Sequence, residues 1–124
     1  MEKRPLILAV DDEEPILKLL RASLSKEVYD VVTAADGKSA LALVEKQRPD
    51  LVLLDIMVPG LDGLQVLDLI RQRSNVPVIM LTARQEVTIL DDALALGADD
   101  YVRKPFSIGE LKACIKAKLR QYWQ

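Results

Sequence analysis

The chain has 124 residues, half of them hydrophobic, which suits one domain over residues 1–124 with a core large enough to need no staples. Its 17 Lys and Arg against 19 Asp and Glu leave a net charge of −2, so the chain itself has no electrostatic reason to bind nucleic acid. A single cysteine, Cys114, excludes an intrachain disulfide, and the absence of histidine removes the commonest zinc ligand and the usual general base.

No apolar stretch approaches the ~20 residues that span a bilayer, so no membrane contact is predicted and a cytoplasmic location is expected. In chain order, the first apolar run is Leu6 to Val10, a strand candidate followed at once by Asp11-Asp12-Glu13-Glu14. Ile16, Leu17, Leu20 and Leu24 then mark one helical face, with Pro15 where a first-turn proline is tolerated. A second strand is predicted over Tyr29 to Thr33 and a second helix over Gly37 to Gln47, whose apolar face is Ala40, Leu41 and Val44. Leu51 to Leu54 is the third strand, and Leu64, Leu67 and Ile70 give the third helix its stripe.

Val76 to Leu81 reads as the fourth strand, and Val87, Leu90, Ala93 and Leu94 as the buried stripe of a fourth helix closed by Gly97 in a left-handed conformation. Asp99 to Val102 is the fifth strand, and Ile108, Leu111, Ile115 and Leu119 the stripe of the last helix. The strands begin at residues 6, 29, 51, 76 and 99, a near-constant interval that leaves room for one helix each time. Strands that are apolar almost throughout, alternating with amphipathic helices, imply an α/β fold: an open, doubly wound parallel sheet covered on both faces.

In such sheets ligands sit outside the carboxyl ends of the strands. That rule ranks the three Asp-Asp pairs. Asp11-Asp12 lies at the carboxyl rim; Asp91-Asp92 falls within a helix and Asp99-Asp100 at the opposite end of the sheet, so those two are predicted to be a solvated helix face and loop. The other strands deliver Asp55, Thr82 and Lys104, the last followed by Pro105, to the same rim. Three close carboxylates repel one another and favour a cation between them, and an oxygen-only set suits Mg²⁺ with retained water. A carboxylate beside a metal and an ammonium can act as nucleophile toward phosphorus. Glu13 and Glu14 read as favourable charge at a helix start.

The stretches Ile7 to Glu13, Pro49 to Gly63, Val78 to Ala83 and Gly97 to Phe106 resemble the receiver domain of two-component response regulators, over nearly the whole chain. The resemblance implies a flavodoxin-like (βα)5 fold with strand order 2-1-3-4-5. It implies phosphoryl transfer from a histidine kinase, or a phosphotransfer protein, to Asp55. Mg²⁺ would be held directly by Asp12, by Asp11 mainly through metal-bound water, and by Asp55 and the backbone carbonyl of Met57. Thr82 and Lys104 would contact the phosphoryl oxygens, with small Ala83 leaving access, and the Lys104-Pro105 bond would be cis. Thr82 and Tyr101 would form the switch that alters the surface of the fourth helix, fifth strand and fifth helix. Such a domain catalyses only its own phosphorylation and dephosphorylation.

Arg103-Lys104-Pro105-Phe106 is similar to receivers joined to winged-helix DNA-binding domains, implying transcriptional output through a domain beyond Tyr122-Trp123-Gln124. A homodimer through the switch surface is in doubt, because Leu90 and Cys114 stand where those relatives carry ion-pairing residues. Ile89 and Leu96 add apolar surface to the fourth helix, and Lys112, Lys116, Lys118 and Arg120 read as a solvated face. Arg84 and Met57 supply no carboxylate or amide to orient an attacking water, so a long-lived phosphoryl group is expected. An Mg²⁺-dependent phosphatase with an aspartyl-phosphate intermediate is the alternative, although that class places a second Asp two residues after the nucleophile. A flavin carrier shares the fold but lacks a phosphate loop after the first strand here.

Overall fold

A computed structural model of the protein describes residues 4–58, 60, 62–83 and 87–122, the side chains of 83, 87–90, 121 and 122 excepted. Strands β1 (Leu6–Val10), β2 (Asp30–Ala34), β3 (Leu51–Asp55), β4 (Val78–Ala83) and β5 (Asp100–Lys104) alternate with helices α1 (Glu14–Ser25), α2 (Gly37–Gln47), α3 (Gly63–Arg71), α4 (Val87–Ala95) and α5 (Ile108–Tyr122). They form one five-stranded sheet, ordered β2-β1-β3-β4-β5, with every pair parallel. No described helix is long and apolar enough to cross a membrane.

Because strand side chains alternate in direction, the sheet sorts its core into two layers. Leu8, Val10, Val52, Leu54, Val78 and Met80 face α2, α3 and Ala93 of α4. Ile7, Ala9, Leu51, Leu53, Ile79, Leu81 and Val102 face Leu17, Leu20 and Leu24 of α1 and Leu111, Ile115 and Leu119 of α5. Both sides of β1, β3 and β4 are thus buried, which is why these strands are apolar at nearly every position.

Strand boundaries shift slightly from the sequence reading. β2 and β5 each start one residue later than predicted, and β4 starts at Val78 because Pro77, lacking an N–H, cannot donate to the ladder. β3, β4 and β5 also run on to Asp55, Ala83 and Lys104, so the predicted site residues are themselves held in paired strand. Gly97 is left-handed (φ 111°) past the end of α4.

Three expectations are corrected. Leu94, assigned to the buried stripe of α4, is 44% exposed, since Ala93 is the residue α4 turns into the core. Asp99 and Asp100 are not simply solvated. Asp99 accepts from the Val78 N–H (2.8 Å) and pairs with Arg71 (2.8 Å), whose guanidinium also donates to the carbonyls of Gly97 (2.9 Å) and Val76 (2.6 Å). Arg71 thereby ties α3, the start of β4 and the turn after α4 together. Asp100 accepts from the Cys114 thiol and lies 3.8 Å from Lys118. Lys118 and Lys112, which pairs with Glu27 at 2.9 Å, are likewise only partly solvated. Asp91 and Asp92 are exposed, as read.

After β3 the chain folds back so closely that a Cβ on Gly63 would stand 2.5 Å from Ile56 Cα and 2.6 Å from Ile56 O, whereas one on Gly109 would meet nothing within 4 Å. Gly63→Ala is therefore expected to lose about 2 kcal/mol or more of stability through forced backbone displacement. Gly109→Ala, in the first turn of α5, is expected to gain up to about 1 kcal/mol. Urea unfolding of the two variants beside the parent checks both signs.

Candidate phosphoacceptor and metal site

The ladder brings the rim residues together. Val10 pairs with Leu54, and Asp55 with Leu81, so Asp11 and Asp55 emerge side by side from β1 and β3. Both are nearly inaccessible, Asp11 at 0% and Asp55 at 5% exposure, while Asp12 is exposed. One carboxylate oxygen from each of Asp11, Asp12 and Asp55 lies within 4.8 Å of the others. Asp11 is steadied by the Glu13 N–H (2.9 Å) and Asp55 by the Met57 N–H (3.2 Å), each two residues downstream of its acceptor.

Lys104, the last residue of β5, reaches back across β4 to this cluster. Its Nζ stands 2.8 Å from Asp11 Oδ2 and 3.2 Å from Asp55 Oδ2. A third contact, 3.5 Å to Glu13 Oε2, was not foreseen. Glu13 is the N-cap position of α1, with extended backbone and no capping bond from its side chain. Its place two residues after Asp11 was the available signal. The Lys104–Pro105 peptide bond is cis.

Burial, and next the charge of Asp11, push the Asp55 carboxyl up to about 6, against the opposing pull of Lys104 and the Met57 N–H. Burial also works against the Lys104 ammonium, but its bonds to Asp11 and Asp55 outweigh this and its pKa is raised. The lysine is thus held charged while the acceptor carboxylate is short of positive charge. An oxygen-only donor set, unbalanced toward the negative, fits a hard divalent cation.

Thr82 is fully buried and lies level with Arg103, one position before the Ala83–Lys104 pairing. Continuing the alternation of β4, it faces the α2–α4 layer, whereas Asp11, Asp55 and Lys104 continue the α1/α5 side. Tyr101, opposite Met80, is half-buried and packs on that same α2–α4 layer. Arg84 and Ile89 lie outside the described residues or side chains, as does the side chain of Leu90. Cys114, the other residue bearing on a dimer, is half-buried; burial, then the charge of Asp100, push its thiol up to about 11.

The sequence profile of the response regulator receiver domain matches residues 7–116. The chain belongs to that family. Among solved structures, the receiver domain of NtrX from Brucella abortus is 38% identical, with a TM-score of 0.87, covering 92% of this chain and 98% of its own. A putative response regulator from Chloroflexus aurantiacus is 33% identical, with a TM-score of 0.90 and coverage of 95% and 99%. A longer NtrX chain from Brucella abortus is 37% identical with a TM-score of 0.89; the match covers 96% of this receiver but only 27% of that chain. The doubly wound order seen here is the one such receivers share, and their acidic pocket is where receiver domains take Mg²⁺.

Because Asp55 binds its proton more tightly when folded, its contribution to stability is full below its ordinary pKa of 3.8 and lost as pH rises through about 6. In metal-free buffer, Asp55→Asn is therefore expected to be more stable than the parent at pH 7.5 by about 1–3 kcal/mol, with the difference closing near pH 4. Urea denaturation at the two pH values measures it.

Proposed function

We propose that this receiver takes a phosphoryl group onto Asp55 from a histidine kinase or phosphotransfer protein, and passes the change to an output partner through the α4-β5-α5 surface. The observation that carries the reading is the convergence of Asp11, Asp12, Asp55 and Lys104, from three strands, on a single buried acceptor carboxylate. A carboxylate oxygen of Asp55 attacks phosphorus, the bond from phosphorus to the donor breaks, and the donor leaves with that electron pair. Lys104, already charged and 3.2 Å from Asp55, is positioned to take a phosphoryl oxygen. Thr82 donates its hydroxyl to another.

Asp11, Asp12, Asp55 and the Met57 backbone carbonyl would hold Mg²⁺, which when bound supplies positive charge against the phosphoryl oxygens. In this reading Thr82, drawn toward the phosphoryl group, vacates space that Tyr101 enters from the same layer of the sheet. Phosphorylation shifts the domain only as far as it binds one arrangement better than the other. The protein does no chemistry beyond its own phosphorylation and dephosphorylation, works in the cytoplasm, and has transcription as its output through a DNA-binding domain. With Cys114 turned to Asp100, the switch surface lacks one charge that a phosphorylation-dependent dimer of the usual kind requires.

Intact mass after incubation with Mg²⁺ and acetyl phosphate tests the reading. One phosphoryl group is expected on the parent and none on Asp55→Asn, with Asp12→Asn slowed about 10- to 100-fold. Failure of the parent to gain mass overturns it.

A further inference from the structure

One side chain on the site's rim has chemistry that phosphoryl transfer does not use. Met57 is a large hydrophobic residue that is 60% exposed, although most apolar side chains of this size are inside. It sits two residues after Asp55, and its N–H is bonded to the Asp55 carboxylate at 3.2 Å, so its backbone is fixed to the acceptor. The loop carrying it is pinned from the other side, where Gly63 donates to the Ile56 carbonyl at 2.7 Å. Met80, in β4, is fully buried, so Met57 is open to a solvent oxidant and Met80 is not. Thioether oxidation turns an apolar group into a polar one with a strong acceptor oxygen.

We propose that Met57 is an oxidation site through which peroxide shortens the life of the phosphoryl group on Asp55. The inference rests on the phosphoacceptor reading given above. In the first step a sulfur lone pair of Met57 attacks one oxygen of hydrogen peroxide and the O–O bond breaks. The departing hydroxide takes up the released proton to give water; sulfur is oxidised and peroxide reduced. The unoxidised thioether is only a weak acceptor and does not orient water. The sulfoxide oxygen, held at the rim by the tie between Met57 and Asp55, accepts a hydrogen bond from a water beside the phosphoryl group. That water attacks phosphorus, the bond to Asp55 breaks, and the products are inorganic phosphate and the free carboxylate.

The test uses the whole chain, treated with dilute hydrogen peroxide and mapped by peptide mass, then phosphorylated with acetyl phosphate and Mg²⁺ and followed by intact mass after donor removal. Peptides carrying Met57 are expected to gain one oxygen while those carrying Met80 do not. The oxidised protein is expected to lose its phosphoryl group about fivefold to tenfold faster, the worth of one added hydrogen bond. In Met57→Leu, treated and untreated samples should decay alike, and Met57→Gln, with a permanent amide, should decay faster than Met57→Leu without peroxide. Oxidation of Met80 before Met57, unchanged decay after Met57 oxidation, or equal acceleration in Met57→Leu each overturns the proposal. Failure of the untreated parent to take up any phosphoryl group instead sinks the phosphoacceptor reading and this proposal with it.

Discussion

Like charge is gathered where β1 and β3 end, and the Lys104 ammonium from β5 holds it there. Asp11, Asp12 and Asp55 place oxygens within 4.8 Å of one another, two of the three inside the protein, with Lys104 touching both buried members. Buried carboxylates are strongly disfavoured unless paired, so this cluster exists only because the rest of the sheet is in register around it. Lys104 must cross one intervening strand to arrive, which requires β4 between β3 and β5 and the pairing of Thr82 with Arg103 and Ala83 with Lys104. A slip of one residue in β5 would turn Lys104 to the opposite face and leave Asp11 and Asp55 uncompensated.

The two core layers make that register hard to lose. Every residue from Ile7 to Val10 and from Leu51 to Leu54 is completely buried, and the alternation along each strand commits half of them to α1 and α5 and half to α2, α3 and α4. Sliding one strand would exchange the two sets, and the helices above them differ: α1 buries Leu17, Leu20 and Leu24 where α2 buries Ala40 and Val44. Apolar packing thus fixes the frame, and the close carboxylates sit at its carboxyl rim, where Asp12 is exposed to water.

Much of this was legible from residue order. Five apolar runs at near-equal intervals gave the alternation, and β1 and α2 have the bounds that periodicity set. The rim residues could be picked out because each stands at the end of a different strand, and the ligand rule for parallel sheets names that end. What could not be read was which strands are neighbours; spacing permits several orders, and the order came from family resemblance. Even with it the contact of Lys104 with Glu13 was missed, since Glu13 was read only as an acid at a helix start. Asp99 was misjudged for a related reason: its partner, Arg71, is near in space but far in sequence, and a half-buried ion pair looks in sequence like two surface charges.

The parity of the strands divides the rim in a way that bears on how a signal leaves it. Asp11, Asp55 and Lys104 continue the side of the sheet covered by α1 and α5, while Thr82 and Tyr101 continue the side covered by α4. In the function proposed above, neutralising the acceptor reaches the α4 side of the sheet through Thr82, which is buried at the end of β4 and continues that side. At the other end of α4 the chain is anchored: Arg71 binds Gly97 O and Asp99, and Asp99 binds the Val78 N–H. With that base tied to α3 and β4, the proposed rearrangement near Thr82 would leave this end of α4 in place. The same sheet that forces the carboxylates together thus also divides the rim residues between its two faces.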